Sequence, residues 1–195
     1  MKLVLASTSQ IRGEILTRAG LVFETARPEV DEDALKTSAK GLTPGDLARS
    51  LAAAKAVSVT NRLPEAVVIG ADQVLNLDGK AYDKPGSREE ARRHLIALRG
   101  RSHMLETAVC CARAGDVVWR HLGRATLTMR DFSESFLDDY LDRMGPEAAT
   151  SVGAYKLEGL GAQLFEAIEG DYFTILGLPL LPLLDFLRRK ECLPA

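Results

Sequence analysis

EAVVIGADQVLNLDGKAY, residues 65–82, is the stretch on which the reading of the fold turns. Val67, Val68, Ile69, Val74, Leu75 and Leu77 crowd into one short run, which predicts a strand. Asp78-Gly79 at its end is a hairpin-turn dipeptide. Asp72 interrupts the run. Aspartate is disfavoured in strands, and a buried carboxylate is costly unless it is paired or bound to a cation. Gly70 and Ala71 lack bulk, which lets a ligand approach the backbone. The order small, small, acid points to a metal-binding or proton-accepting aspartate. The plainer alternative is an exposed strand position or a structural ion pair.

Upstream, LVLA reads as a short buried strand and SQIRGEILTRAG as a helix with Ile11, Ile15 and Ala19 on one face and Gly20 ending it. LVFETA reads as a second strand. PEVDEDALKTSAKG is polar and reads as a loop. TPGDLARSLAAAKAVSVTNR predicts a helix capped by Thr43, with Pro44 in its first turn. Downstream, SREEARRHLIALRG is a helix capped by Ser87. HMLETAVCCARA and DVVWRHLGRATLTMR read as an antiparallel pair joined at Gly115. SESFLDDYLDRMG is a capped helix ended by Gly145. The glycine-rich VGAYKLEGLGA follows, then LFEAIEG as strand or short helix, and LPLLPLLDFLRRK as a terminal helix. Helices and strands alternate around an antiparallel stretch, so the class is α/β with a mixed sheet flanked by helices.

A chain of 195 residues suits one domain, with room for two lobes, and 46% hydrophobic residues allow a sizeable core. A net charge of −2 gives no general attraction to nucleic acid or membrane, though a local basic pocket for a small acidic ligand is compatible with it. The three cysteines, Cys110, Cys111 and Cys192, have no metal-ligand spacing and fit a reducing cytoplasm. The apolar run at the start is too short for a signal peptide, and no run is long enough for a transmembrane helix.

The second candidate site is LASTSQIRGEIL, residues 5–16. A strand ending in Ser-x-Ser before a helix offers hydroxyls and free N–H groups at the positive end of a dipole. Arg12 in the first turn costs roughly 0.3–1 kcal/mol unless something negative sits beside it. Ser7, Ser9 and Arg12 therefore read as a phosphate site, or else as an ordinary capped helix with a solvated arginine. Lys55 in AAAKA, Lys84 in YDKPG, Glu32 in VDED and Glu158 in YKLEGLG are further candidates. Taken singly, each also reads as a solvated surface charge. GxSxG, GxGxxG and GxxxxGK[ST] are absent, which disfavours triad, Rossmann and P-loop chemistry. Phosphate chemistry here would be hydrolysis supported by a metal and cations.

LASTSQIR, the LAxxKA helix, VIGADQV, DGKAYDKP, LRGRSH, GAYKLEGLG and IEG…LGLPL occur in one order over nearly the whole chain. This ordered set resembles the Maf family of nucleoside triphosphate pyrophosphatases. The resemblance implies an α/β fold of the inosine-triphosphate-pyrophosphatase type, with two lobes around a central cleft, commonly as a homodimer. It implies hydrolysis of a nucleoside triphosphate to monophosphate and pyrophosphate with Mg²⁺ or Mn²⁺, in the cytoplasm. By position it makes Ser7, Ser9, Arg12, Lys55 and Lys84 phosphate-binding. Asp72 becomes the essential acid, as proton acceptor or metal ligand, and Glu32 a second acid that helps bind metal. Gln73 and Glu158 resemble the branch acting on 7-methyl-GTP, where a carboxylate suits the positive base. Ile11 occupies a third specificity position where an aromatic is common. Alternatives are the dTTP/UTP or CTP branches, or a nucleotide-binding regulator of septum formation. Gln10 and Gly13 depart from the usual proline and second arginine, so that one phosphate-contacting cation is either missing or supplied by Arg18 or another residue. Ala108 replaces a common glycine, which would narrow the cleft there.

Overall fold

Residues 67–77 form the strand on which the molecule is built. In the computed structural model, which describes residues 2–193, this strand belongs to one mixed sheet. Among the described residues the strands are β1 (Leu3–Ala6), β2 (Glu24–Ala26), β3 (Val67–Leu77), β4 (Lys80–Tyr82), β5 (Ser102–Arg113), β6 (Asp116–Met129) and β7 (Phe165–Gly170). Their order is β2-β1-β3-β5-β6-β7, with β4 also on β3. β1 runs parallel to β2 and β3, whereas the pairs β3–β4, β3–β5, β5–β6 and β6–β7 are antiparallel. The helices are α1 (Gln10–Arg18), α2 (Glu32–Ser38), α3 (Pro44–Thr60), α4 (Arg88–Leu98), α5 (Glu134–Met144), α6 (Tyr172–Ile175) and α7 (Leu180–Arg189). No helix among the described residues is long and apolar enough to cross a membrane.

Alternation along the strands sends side chains to two faces. Leu3, Leu5, Val67, Ile69 and Cys111 pack with Ile15 and Leu16 of α1 and Leu183 and Leu187 of α7. Val4, Ala6, Val68 and Cys110 pack with Ala48, Ala52 and Ala56 of α3 on the other face. A third core holds the far half of the sheet, where Leu75, Leu77, Leu105 and Leu127 meet Leu95 and Leu98 of α4 and Leu137 and Tyr140 of α5.

β1 thus lies between β2 and β3; α1, in the β1–β2 crossover, and α3, in the β2–β3 crossover that passes β1, pack on opposite faces. Such a reversal of strand order opens a crevice at the carboxyl end of the strand. A second interruption meets it. On one edge β3 pairs with β1 only through Val67–Gly70 and with β4 only through Leu75–Leu77. Residues 71–74 have no strand on that edge among the described residues, although β5 covers them on the other. Asp72 sits in this gap.

Most elements follow the sequence reading. The 65–82 stretch is strand, turn and strand, with Asp78 at φ 53 and Gly79 at φ 81 in the left-handed region that a two-residue hairpin needs. Two element expectations are corrected. PEVDEDALKTSAKG contains a helix, α2, because Asp31 accepts a hydrogen bond from the Ala34 N–H at 2.9 Å and acids occupy the first turn. LVFETA yields only the three residues of β2, and Val22 is 93% exposed. Within the glycine-rich segment, Val152–Ala154 and Leu160–Leu164 form short 3-10 turns. LFEAIEG is a strand, and α6, four residues long, had no expectation attached to it. On α1, Ile15 is buried and Ile11 half-buried, but Ala19 is exposed.

Candidate active site

The site starts from a close approach. An added Cβ on Gly70 would meet Ala56 Cβ at 2.8 Å and the Ala56 nitrogen at 2.9 Å. Glycine on β3 and alanines on α3 therefore let helix and strand touch, and that contact brings Lys55 over Asp72. Both side chains are buried, and the Lys55 ammonium donates to Asp72 Oδ1 at 2.6 Å. The same ammonium lies 2.9 Å from Glu32 Oε1 on α2. One cation thus gathers two carboxylates from different elements. The costly buried acid anticipated at Asp72 is paired, and removing one member of such a pair leaves an uncompensated charge.

Arg12 enters the open edge of β3 from α1. Its Nε donates to Gly177 O at 2.7 Å and one Nη to Ala71 O at 2.9 Å. The first turn of α1 carries no acid, so two carbonyl oxygens offset the cation there. Burial pushes the guanidinium below its ordinary range, against the pull of Asp72 and Glu32. The remaining Nη hydrogens are free for a further acceptor. Ser9 caps α1 without a side-chain hydrogen bond; instead Ser7 Oγ accepts from the Ser9 N–H at 3.1 Å. The N–H groups of this turn are left for an anion.

Lys84 follows β4. Burial lowers its ammonium from the ordinary lysine range, and the charges of Arg12 and Lys55 lower it further, against Asp72 and Glu32. Ser7, Ser9, Arg12, Lys55, Asp72, Glu32 and Lys84 therefore converge on one crevice at the end of β1 and the gap in β3.

Gln73 points to the opposite face. Its Nε2 donates to Thr107 Oγ1 at 2.8 Å and to Thr174 O and Ile175 O, each at 3.0 Å. Thr107 Oγ1 also donates to Thr174 O at 2.9 Å. Two carbonyls fix which end of the amide is nitrogen, so the Gln73 oxygen faces away from α6. Thr174, Ile175 and Gly177 escaped the sequence reading because they act through backbone oxygens, which leave no trace in residue type; Thr107 acts through its hydroxyl. A threonine inside the apolar β5 run was the one available signal.

Other expected positions do not join the cluster. Glu158 is exposed, with no hydrogen bond or ion pair among the described residues. Ile11 packs on the core of the first half. Arg18 lies at the far end of α1 on Glu14, so it supplies no cation to the helix start. Gln10 bonds Glu14 at 2.8 Å, and Gly13 faces open space. Ala108 packs into the core beneath α3 beside Val74 and Ala52, rather than standing in the crevice.

A profile of the family described as "Maf-like protein" matches residues 2–190. The chain belongs to the Maf family. Among its relatives, a nucleoside triphosphate pyrophosphatase of Rhodospirillum rubrum is 54% identical over 187 residues, 95% of this chain and 93% of that protein. A 7-methyl-GTP pyrophosphatase of Brucella abortus is 50% identical over 195 residues, 99% of this chain and 98% of that protein. Among solved structures, a nucleoside-triphosphatase described as a dITP/XTP pyrophosphatase, from Mycobacterium abscessus, aligns with a TM-score of 0.45 at 15% identity, covering 100% of this chain and 98% of that one. The Maf motifs read from the sequence are the ones that line the crevice: ASTSQIR at its floor, LAxxKA and GADQ at its acidic centre, and YDKP at its rim.

Proposed function

We propose that this protein hydrolyses a nucleoside triphosphate between the α- and β-phosphates, releasing the monophosphate and pyrophosphate, with 7-methyl-GTP as preferred substrate. One observation carries the reading. Three cations, Arg12, Lys55 and Lys84, and two carboxylates, Asp72 and Glu32, share a crevice whose floor is a helix N-terminus. A triphosphate needs several cations, and a water attacking phosphorus needs an acceptor beside them. Relatives covering nearly the whole chain carry pyrophosphatase names, which supports the same class.

Charge develops on the departing pyrophosphate. Arg12, its planar edge held by Ala71 and Gly177, faces that charge together with Lys84 and the N–H groups after Ser9. Asp72 orients the water and takes its proton, or would hold a cation that lowers the water's pKa, the proton then passing to solvent or a phosphate oxygen. Two carboxylates within reach of one ammonium fit a hard divalent ion, Mg²⁺ or Mn²⁺, which takes one or two carboxylates and completes its shell with phosphate oxygens and water. Such an ion would supply charge neutralisation at the phosphates. Lys55, released from the acids, would then turn to the substrate. On the resemblance to the 7-methyl-GTP branch we assign Glu158 and the amide oxygen of Gln73, both outside the phosphate cluster, to the positive base. A homodimer in the cytoplasm completes the proposal.

A nucleotide panel with Mn²⁺, scoring pyrophosphate against orthophosphate, tests it on wild type, Asp72→Asn and Glu158→Gln. We expect pyrophosphate from wild type with 7-methyl-GTP ahead, no turnover by a folded Asp72→Asn, and a shift away from 7-methyl-GTP in Glu158→Gln. Orthophosphate alone would reject α–β cleavage. Preference for UTP, dTTP or CTP would move the chain to another branch. Tight binding without turnover of any triphosphate would favour a nucleotide-binding regulator.

A further inference from the structure

α2 buries none of its side chains, and a helix of seven residues is marginal on its own. Charge holds it where it is. Asp31 caps it, Glu32 reaches Lys55, and Lys36 one turn later reaches Asp83 Oδ1 at 2.5 Å. Residues four apart share a helix face, so both ion pairs point across the crevice. Asp83 immediately precedes Lys84. Beyond Lys84, Pro85 is buried and the Gly86 N–H donates to Glu90 Oε2 of α4 at 2.7 Å. The loop 83–86 is therefore pinned at both ends, with the lysine between.

We propose that Lys36 is a positioning residue, acting through Asp83 to fix the loop that aims Lys84 at the triphosphate. This rests on the proposed function for its kinetic consequence, though not for the clasp itself. Lys36 need not touch substrate. Burial works against its ammonium, yet the hydrogen bond and charge of Asp83, with Glu32 and Asp72 behind, raise it above the ordinary lysine range. It stays charged wherever Lys84 does. The clasp also gives α2 two anchors, so that a ligand drawing Lys55 away from Glu32 leaves the helix tethered through Lys36.

The test compares wild type with Lys36→Met, Lys36→Arg, Asp83→Asn and the double variant Lys36→Met/Asp83→Asn. Amide hydrogen exchange is followed over residues 80–90, beside the kinetics of pyrophosphate release. We expect faster exchange at 83–86 in Lys36→Met and Asp83→Asn, and near wild-type exchange in Lys36→Arg. We expect kcat/KM to fall about fivefold in either single variant, with kcat sharing in the loss because Lys84 faces the developing charge, the size of a partly exposed ion pair. The double variant should lose no more than either single one. Unchanged exchange, an unchanged kcat/KM in an active enzyme, or losses that multiply in the double variant would each overturn the inference. A wild type without turnover would instead reject the proposed reaction, and the exchange comparison would still decide whether the clasp exists.

Discussion

Arg12 is where a local rule and the tertiary structure pull apart. A cation in the first turn of a helix opposes the dipole. Its carbonyl partners lie 59 and 165 residues away in sequence, so nothing in LASTSQIR could reveal them. Asp72 was legible for the opposite reason: a carboxylate between Ala71 and Gln73 in an apolar strand needs a partner, and the need is visible before the partner is. Lys55 was legible only through the family's motif order, because a lysine among alanines looks like any surface lysine. The Arg12 geometry makes a prediction. Lysine has a compact ammonium that cannot hold both carbonyls and still offer an edge to phosphate. Arg12→Lys should therefore lower kcat/KM by about 10- to 100-fold, the scale of one or two charged hydrogen bonds. Steady-state pyrophosphate release measures this, and a variant within twofold of wild type, by about the error of such assays, would refute it.

Among the elements, long periodic segments followed the sequence and short polar ones did not. α3 was announced by Thr43, Pro44 and its alanine body. α2 was missed because its residues EDALKTS carry no apolar stripe; its stability comes from a cap and from partners on α3 and the β4 loop, outside its own sequence. β2 was overestimated because LVFETA has strand composition, but Leu21 turns into the core beside Val22, which is left in solvent. The contact of α3 with β3 is the element-level determinant of the site. Gly70→Ala places a methyl against the Ala52 carbonyl and Ala56. We expect a loss of about 1–3 kcal/mol in urea unfolding, typical of overpacking. Activity should fall more steeply than that destabilisation alone would cause, because the helix that is pushed outward carries Lys55. Wild-type stability in Gly70→Ala would contradict this account of the packing.

Across the whole molecule, the mixed sheet and its flanking helices were readable from alternation and turn chemistry, whereas the gap at 71–74 was not. It arises from where two separate strands stop, and no single segment encodes it. The far half carries a different global property. His103 is buried, bonded through Nε2 to the Tyr155 hydroxyl at 2.7 Å, with Nδ1 unpartnered. Burial drives its imidazole down to about 4. The unfolded chain therefore binds a proton near the ordinary histidine value that the folded chain refuses. The stability tied to neutral His103 is complete above about pH 6.5 and is lost progressively towards pH 4, by roughly 2–4 kcal/mol in all. Unfolding free energies at about pH 7.5 and about pH 4.5 should diverge less in His103→Phe than in wild type; equal slopes would exclude His103 as the acid-sensitive group. One last consequence belongs to β3 and β5. Their ladder runs unbroken from Val68–Ala112 to Asn76–Met104, past the crevice and through both halves. It works as a girder. One half cannot slide along the other without tearing that ladder, so the compliant motion is a flexing of the two long strands about the open notch, and gripping a ligand is a matter of bend.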